Sequence, residues 1–289
     1  MRYAFIQLQL ADYPLSIMCG ILDVSTSGYY AWSKRDRDAN SAKKMALVLE
    51  VEKIHQGSRG TYGSPRILSV LNGLGIPCSH GKLERLMRTH GIRAKTKKKF
   101  RVTTDSKHSL PVAENLAQRD FAVGIPNKLW LADITYIWTR EGWLYLAAVL
   151  DAGTRKLIGW SMKERMTTDL VQDALEMAYN RQGQPKGVMH HSDRGSQYAS
   201  QLYQQCLQRY GMVGSMSGRG QCWDNAPMES FFHTLKTEHV YFEDFAMRTD
   251  ARESVFDWIE VFYNRERLHS TLGYSTPECY ELAALARVS

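Results

Sequence analysis

The chain has 289 residues, 44% apolar and 23% charged, with a net charge of +7. That length and composition suit a soluble globular protein of one large domain or two modest ones, and the longest strongly apolar run without a charge, GWLYLAAVL (142–150), is far too short to cross a bilayer. Five widely spaced cysteines (Cys19, Cys78, Cys206, Cys222 and Cys279), with no Cys-x-x-Cys pair, argue against a disulfide framework and a thiolate zinc site and fit a reducing cytosol.

The first hundred residues read as punctuated helices. The N-terminal stretch MRYAFIQLQLADYP is apolar but broken by Gln7, Gln9 and Asp12, so it is not a signal peptide. Residues 14–35 give two short helices with a break near Asp23–Ser25, and 41–56 give another. A helix over 64–73 is stopped by Gly73, Gly75 and Pro77. Ser79 can cap a second helix over 80–90, which Gly91 ends. Two helices around a short Gly-containing turn, the second bearing Lys82, Arg85 and Arg88, match a helix-turn-helix. A small helical bundle with no DNA role is the alternative. The charge is concentrated here: residues 82–107 hold ten basic and two acidic side chains, so the segment is +8 and the remainder about −1. Lys95, Lys97, Lys98, Lys99 and Arg101 belong to this block. A cationic block on a near-neutral body points to a polyanion; a solvated linker is the plainer reading.

Residues 103–118 read as a linker, after which the texture changes. LWLADITYIW (129–138), WLYLAAVLD (143–151) and KLIGWSM (156–162) form an antiparallel meander. A helix over 167–182 follows, with Thr168 as its cap. Then come a short buried strand (187–193), a helix (196–210), a strand (212–217), a Gly-rich loop (218–225) and a helix that places Met228, Phe231, Phe232 and Leu235 on one face. Helices continue over 247–265 and 277–286. The order β-β-β-α-β-α-β-α is a mixed sheet with helices on its faces.

Three acids stand out. Asp133 sits inside a strand that is apolar on both faces, where an ionised carboxylate is expensive without a compensating cation or hydrogen bonds. Asp193 ends a short strand, and Glu229 is in the first turn of the next helix. Each alone could be a surface or capping carboxylate. Together, on three elements, they can meet at one end of a sheet if a hard divalent cation separates them. Two such ions about 4 Å apart can activate one oxygen and stabilise another in an in-line displacement at phosphorus.

Asp133, Asp193 and Glu229, with 35 residues between the last two and Lys236 seven beyond Glu229, resemble the Asp-Asp-Glu pattern of the retroviral integrase superfamily. The closer resemblance is to the integrase-like, second-frame (OrfB-type) subunit of bacterial insertion-sequence transposases. It is carried by GYYAWSKR (28–35), GTYGSPRI (60–67), LWLADITYI (129–137), HHSDRGSQYAS (190–200), SGRGQCWDNAPMESFFHTLKTE (217–238) and YNRERLHSTLGYSTP (263–277). The superfamily's zinc-binding His/Cys module has no counterpart.

The resemblance implies an α/β fold: a ribonuclease-H-like, mixed five-stranded sheet flanked by helices, preceded by an all-helical helix-turn-helix region. The expected division is 1–102 DNA-binding, 103–118 linker, 119–265 catalytic core and 266–289 helical tail. It implies a cytoplasmic bacterial DNA transposase. Asp133, Asp193 and Glu229 would be both catalytic and metal-binding, with two Mg²⁺ ions (Mn²⁺ as substitute) in the reactive complex. Expected partners are double-stranded DNA (terminal repeats and target), further copies of the chain, and a first-frame helix-turn-helix protein or fusion, with no membrane. Lys236 would hold a phosphate as a point charge. His233 is either a DNA backbone contact or a bystander. Arg219 and Trp223 suit a loop that grips nucleic acid by charge and stacking, or a plain connection. His190 and His191 are expected to pack or orient Asp193, because hard-metal chemistry prefers oxygen. Arg265, Arg267 and His269 are expected at a helix end near DNA, with Asn264 as a cap. The competing functions are a nuclease that only hydrolyses and a DNA-binding repressor with a vestigial core.

Overall fold

The computed structural model describes residues 1–34, 37–95, 113–118, 120–122, 124–218 and 222–287. Most of the expected linker therefore lies outside the described residues, as do Lys97, Lys98, Lys99, Arg101 and Arg219. No helix among the described residues is long and apolar enough to cross a membrane.

Five strands form one sheet, β1 (Leu129–Thr139), β2 (Gly142–Asp151), β3 (Leu157–Lys163), β4 (Met189–Ser192) and β5 (Val213–Met216), in the order β3-β2-β1-β4-β5. β1, β2 and β3 pair antiparallel, while β4 and β5 join parallel. This is the ribonuclease-H-like arrangement. β1 is central because it is apolar on both faces. Trp130 and Ala132 pack with Leu170, Val171 and Ala174 of α7 (Thr168–Arg181). Leu129, Leu131 and Ile137 pack with Met228, Phe231 and Leu235 of α10 (Ala226–Glu238) and with Val255 of α11 (Arg248–Asp257). β3 approaches α7 so closely that a Cβ on Gly159 would strike the Ala174 carbonyl oxygen. The edge of β3 is closed by Asn264, whose amide exchanges two 3.0 Å hydrogen bonds with the Leu157 backbone as another strand would. Asn264 is thus a sheet closure rather than a helix cap.

Two local expectations differ. The helix over 196–210 is broken at Ser200, which is extended and whose hydroxyl accepts from the Tyr203 N–H, giving α8 (Ser196–Ala199) and α9 (Gln201–Tyr210). The residue at the N-cap of α7 is Thr167, not Thr168, and its side chain makes no capping bond. α11 runs on into a π-helical segment, Trp258–Glu266, that buries Trp258, Ile259, Phe262 and Tyr263 in the core.

The N-terminal part has two small cores. α1 (Arg2–Leu8), α2 (Leu15–Ile21) and α3 (Thr26–Ser33) gather around Ile6, Met18, Cys19 and Tyr29. α4 (Arg37–Gly57), α5 (Ser64–Gly73) and α6 (His80–Thr89) gather around Val51, Ile67, Leu71 and Leu83. α5 and α6 form the helix-turn-helix. α6 buries Leu83, Leu86 and Met87 and turns Lys82, Arg85 and Arg88 to solvent. This unit is docked on the sheet-bearing part. The Tyr62 hydroxyl donates to the Glu266 carbonyl at 3.0 Å and accepts from the Leu268 N–H at 2.8 Å, while Arg66 Nε donates to the Leu268 carbonyl at 2.9 Å.

Candidate active site

The strand register brings two acids together. Ala132 of β1 pairs with Ser192 of β4 in parallel, so Asp133 and Asp193 are the next residues on neighbouring chains. Partner positions on parallel strands point to the same face, with strands about 4.8 Å apart. Each carboxylate is held by a backbone donor. Asp133 Oδ1 accepts from the Ile134 N–H at 2.7 Å, and Asp193 Oδ1 from the Gly195 N–H at 2.8 Å. The second bond needs glycine, because a Cβ at 195 would stand 2.9 Å from that oxygen. The third acid comes from α10, which is pinned to β1 where the Asn225 side-chain amide donates to the Ala132 carbonyl at 3.2 Å. Glu229 follows in the first turn of α10 and is exposed on the rim.

Electrostatics tie the three together. Burial pushes the Asp133 carboxyl well above the usual carboxylate range, Asp193 and then Glu229 push it further, and the Ile134 N–H and Lys236 pull it back. Burial also raises Glu229. Two unit charges about 5 Å apart repel by about 3 kcal/mol at an effective dielectric of about 20. The raised Asp133 carboxyl shows that full ionisation of the neighbouring acids is disfavoured, and added positive charge would relieve it. Among the described residues no three His, Cys, Asp or Glu side chains form a ready-made metal cage. A side-by-side aspartate pair with one acid on the rim fits a hard cation that takes one or two carboxylates and completes its shell with water and substrate oxygens.

Lys236, two turns beyond Glu229, lies with its ammonium 4.7 Å from the centre of the Tyr136 ring. Burial lowers its pKa and Asp133 raises it. His233 is exposed on the same helix. Trp223 is 67% exposed on the single turn Cys222–Asn225 that precedes α10. Lys95 stacks its ammonium on Phe242, 4.2 Å from the ring centre.

The two strand histidines are structural. Burial depresses His190 to about 3, and its Nε2 meets the Tyr203 hydroxyl at 3.0 Å. His191 is lowered by burial and sits between the Ser215 and Ser217 hydroxyls, at 2.9 and 3.1 Å. Sequence reasoning missed Asp224, which is buried and accepts from Asn115 at 2.8 Å and from the Gly218 N–H at 2.9 Å, tying the loop before α10 to the chain that enters the core. An Asp-Asn pair directly before an apolar helix was the available signal. Arg267 stands at the end of the Trp258–Glu266 helix, as expected, but its charge is spent inside the protein. Arg267 is buried against Glu238, and His269 beside it is pushed down to about 3 by burial and three nearby arginines. They join the helix-turn-helix unit to α10.

Comparison with known proteins gives the same outline. Residues 124–222 and 210–277 match two models of an integrase core domain, and residues 42–100 match an HTH-like domain. The chain is 42% identical over 288 residues to "Transposase InsF for insertion sequence IS3A" of Escherichia coli (strain K12), covering 99% of this chain and all of that one. It is 44% identical over 263 residues to the "Insertion element IS600 uncharacterized 31 kDa protein" of Shigella sonnei, covering 91% and 97%. Among solved structures, a chain of the simian T-cell lymphotropic virus intasome in complex with PP2A regulatory subunit B56 gamma aligns with a TM-score of 0.47 at 17% identity, over 80% of this chain and 74% of that one. The HTLV-2 integrase catalytic core in complex with magnesium aligns at 0.40 and 15%, over 54% and 97%.

Proposed function

The chain belongs to the IS3-type insertion-sequence transposases with an integrase core, and from that premise we propose that Asp133, Asp193 and Glu229 are its catalytic and metal-binding residues. The observation that supports this is the register of β1 and β4, in which Asp133 and Asp193 follow paired residues on adjacent strands, with Glu229 on the rim and with mutual repulsion that raises the Asp133 carboxyl. Two Mg²⁺ ions bound by the three acids, with Mn²⁺ as a substitute, would supply Lewis-acid stabilisation of the attacking and leaving oxygens.

The rest is done by the chain. Water attacks the phosphodiester at the element's end, a P–O bond forms, and the bond to the 3′ oxygen breaks as that oxygen takes a proton. The freed 3′-hydroxyl then attacks a second phosphodiester, so one phosphodiester forms as another breaks, with no covalent protein intermediate. Lys236 holds a backbone phosphate near the reacting end, and His233 lies along the same helix within the DNA path. Backbone donors at Ile134 and Gly195 fix the two aspartates, so no reorganisation is needed when DNA arrives. Residues 1–102, with Lys82, Arg85, Arg88 and Lys95, and the basic run containing Lys97, Lys98, Lys99 and Arg101, bind the duplex. Residues 103–118 link this part to the core (119–265), and 266–289 form the tail. Arg219 and Trp223 grip DNA from the loop before α10. The working complex is an oligomer on DNA in the bacterial cytoplasm, with a first-frame helix-turn-helix partner or fusion sharing end recognition.

The test is a strand-transfer assay on the element's own terminal repeats, with and without Mg²⁺. A pre-cut 3′-hydroxyl end separates a transposase from a nuclease, since only the former joins it to a target. Loss of cleavage with retained binding in Asp193→Asn supports the assignment; activity that survives that change refutes it.

A further inference from the structure

The β1–β2 hairpin carries an aromatic surface that the proposed chemistry does not use. Trp138 pairs with Trp143 across the hairpin and Tyr136 with Tyr145, so these rings share one face. The Trp138 and Trp143 rings meet edge to face at 4.9 Å, and the Tyr136 ring meets Trp143 at 4.9 Å. α7 covers the same face only as far as Ile134 and Tyr145. Beyond it Trp138 is 58% and Trp143 43% exposed. Cross-strand aromatic pairs do steady hairpins, but this one is already fixed from its other face by the buried Ile137, Leu144 and Leu146. A contiguous exposed aromatic patch of this kind marks a binding surface.

Its position identifies the occupant. The Lys236 ammonium touches the Tyr136 ring and also feels the Asp133 charge, so a continuous path runs from the acids through Lys236 and Tyr136 to Trp143 and Trp138. From Asp133 to Trp138 the strand advances about 17 Å. Bases in a duplex are already stacked on one another, whereas unpaired bases offer free π-faces to aromatic side chains, largely regardless of sequence. We propose that Tyr136, Trp143 and Trp138 form a stacking subsite for unpaired nucleotides of the DNA strand whose phosphodiester lies at the acids, with Lys236 holding the phosphate between. This deepens the transposase reading and rests on it.

The experiment uses the full chain carrying Asp193→Asn, so binding is read without cleavage. Two probes of arbitrary sequence are compared: a blunt duplex, and the same duplex with a short single-stranded extension. Replacing Trp138 and Trp143 by leucine keeps apolar bulk and removes stacking. It should weaken binding of the extended duplex by ~5- to ~150-fold per stacked base lost and leave the blunt duplex unchanged, while the double tyrosine variant stays close to the parent. Should the leucine variant fail to fold, quenching of indole emission by the extended but not the blunt duplex in a Trp223→Phe background, which removes the other exposed loop indole, decides the same point. The inference is overturned if the parent binds both probes equally, if leucine weakens both alike, or if leucine changes only the oligomeric state, which would make the patch a protein interface. A failure of the acid assignment shows separately, as strand transfer persisting in Asp193→Asn on the native tryptophan background.

Discussion

The two ends of α10 carry opposite electrostatic arrangements. At its first turn Glu229 stands with Asp133 and Asp193, whose like charges raise the Asp133 carboxyl while Lys236 lowers it. At its last turn Glu238 is gripped by Arg267 through two bonds of 2.8 and 2.7 Å, with Arg66 3.9 Å away. Burial pulls the Arg267 pKa down, but the hydrogen bonds and charge of Glu238 outweigh it and the guanidinium stays firmly charged. Burial and the neighbouring Arg267 lower Arg66. One end is therefore a completed ion pair that joins the helix-turn-helix unit to the helix carrying Glu229. The other gathers like charges, with each aspartate held by a backbone N–H donor. A buried carboxylate with a forked guanidinium is a joint; adjacent carboxylates without one are a site for something that arrives later.

The sharpest way to break this contrast is to remove a charge from each end. Asp193→Asn should take strand transfer to background while DNA binding persists, and in EDTA it should raise thermal stability, since it relieves the repulsion that Asp193 exerts on Asp133. A drop in melting temperature there would mean Asp193 is a structural acid. Glu238→Ala should behave in the opposite sense. It strands Arg267 in the interior and should cost about 3–5 kcal/mol, seen as a lower urea midpoint. Next in size is the response to cation. Mg²⁺ at a hundredfold excess over its dissociation constant should stabilise the wild-type chain by about 2.7 kcal/mol. Asp193→Asn should lose that gain, and Glu238→Gln should keep it. Equal gains in both variants would dissolve the distinction between the two ends.

The sequence showed one end and hid the other. The acids drew notice in the sequence because Asp133 interrupts an apolar strand, Asp193 follows the end of a strand and Glu229 opens a helix, and because their spacing matches a known motif. The mixed sheet and its antiparallel meander followed from strand texture, while the strand order β3-β2-β1-β4-β5 had to be seen in the structure. Glu238, Arg267, Arg66 and His269 were not legible, because their partners lie up to 203 positions apart in the chain and a basic run such as YNRERLH looks the same whether it faces DNA or a buried glutamate. Ser200 was misread for a local reason: a serine inside a helical period is silent until its hydroxyl is seen capping the next turn.

Acid should act on the paired end. His269 Nε2 lies 3.2 Å from Arg267 Nη1, which donates to it, and the ring is held neutral down to about pH 3. His190 behaves alike. Each is neutral in the folded chain at pH values where the unfolded chain protonates it. Stability is therefore full above about pH 6.5 and falls as pH drops toward 3, by about 1.4 kcal/mol per histidine at pH 5.5. His269→Gln should shallow that slope in urea titrations between pH 5 and 7; an unchanged slope would show that the ring protonates without leaving its arginine neighbours.

The smallest effect separates two cations that the sequence alone makes equivalent. Lys236 and Arg267 are both basic residues in stretches that carry the family resemblance, and each feels a carboxylate. Lys236 keeps its ammonium on the surface path between Asp133 and Tyr136, so on the proposed reading it displaces one counterion when a phosphate binds. Arg267 spends its charge on Glu238 inside the protein. Lys236→Ala should thus weaken DNA binding evenly across sequences and lower the slope of log affinity against log salt by about one. Arg267→Lys, which keeps the charge but loses the fork, should leave that slope unaltered and reduce stability instead. If the slope falls for the arginine variant and not for the lysine one, the phosphate contact belongs to the paired end of α10, and the roles assigned to its two ends are reversed.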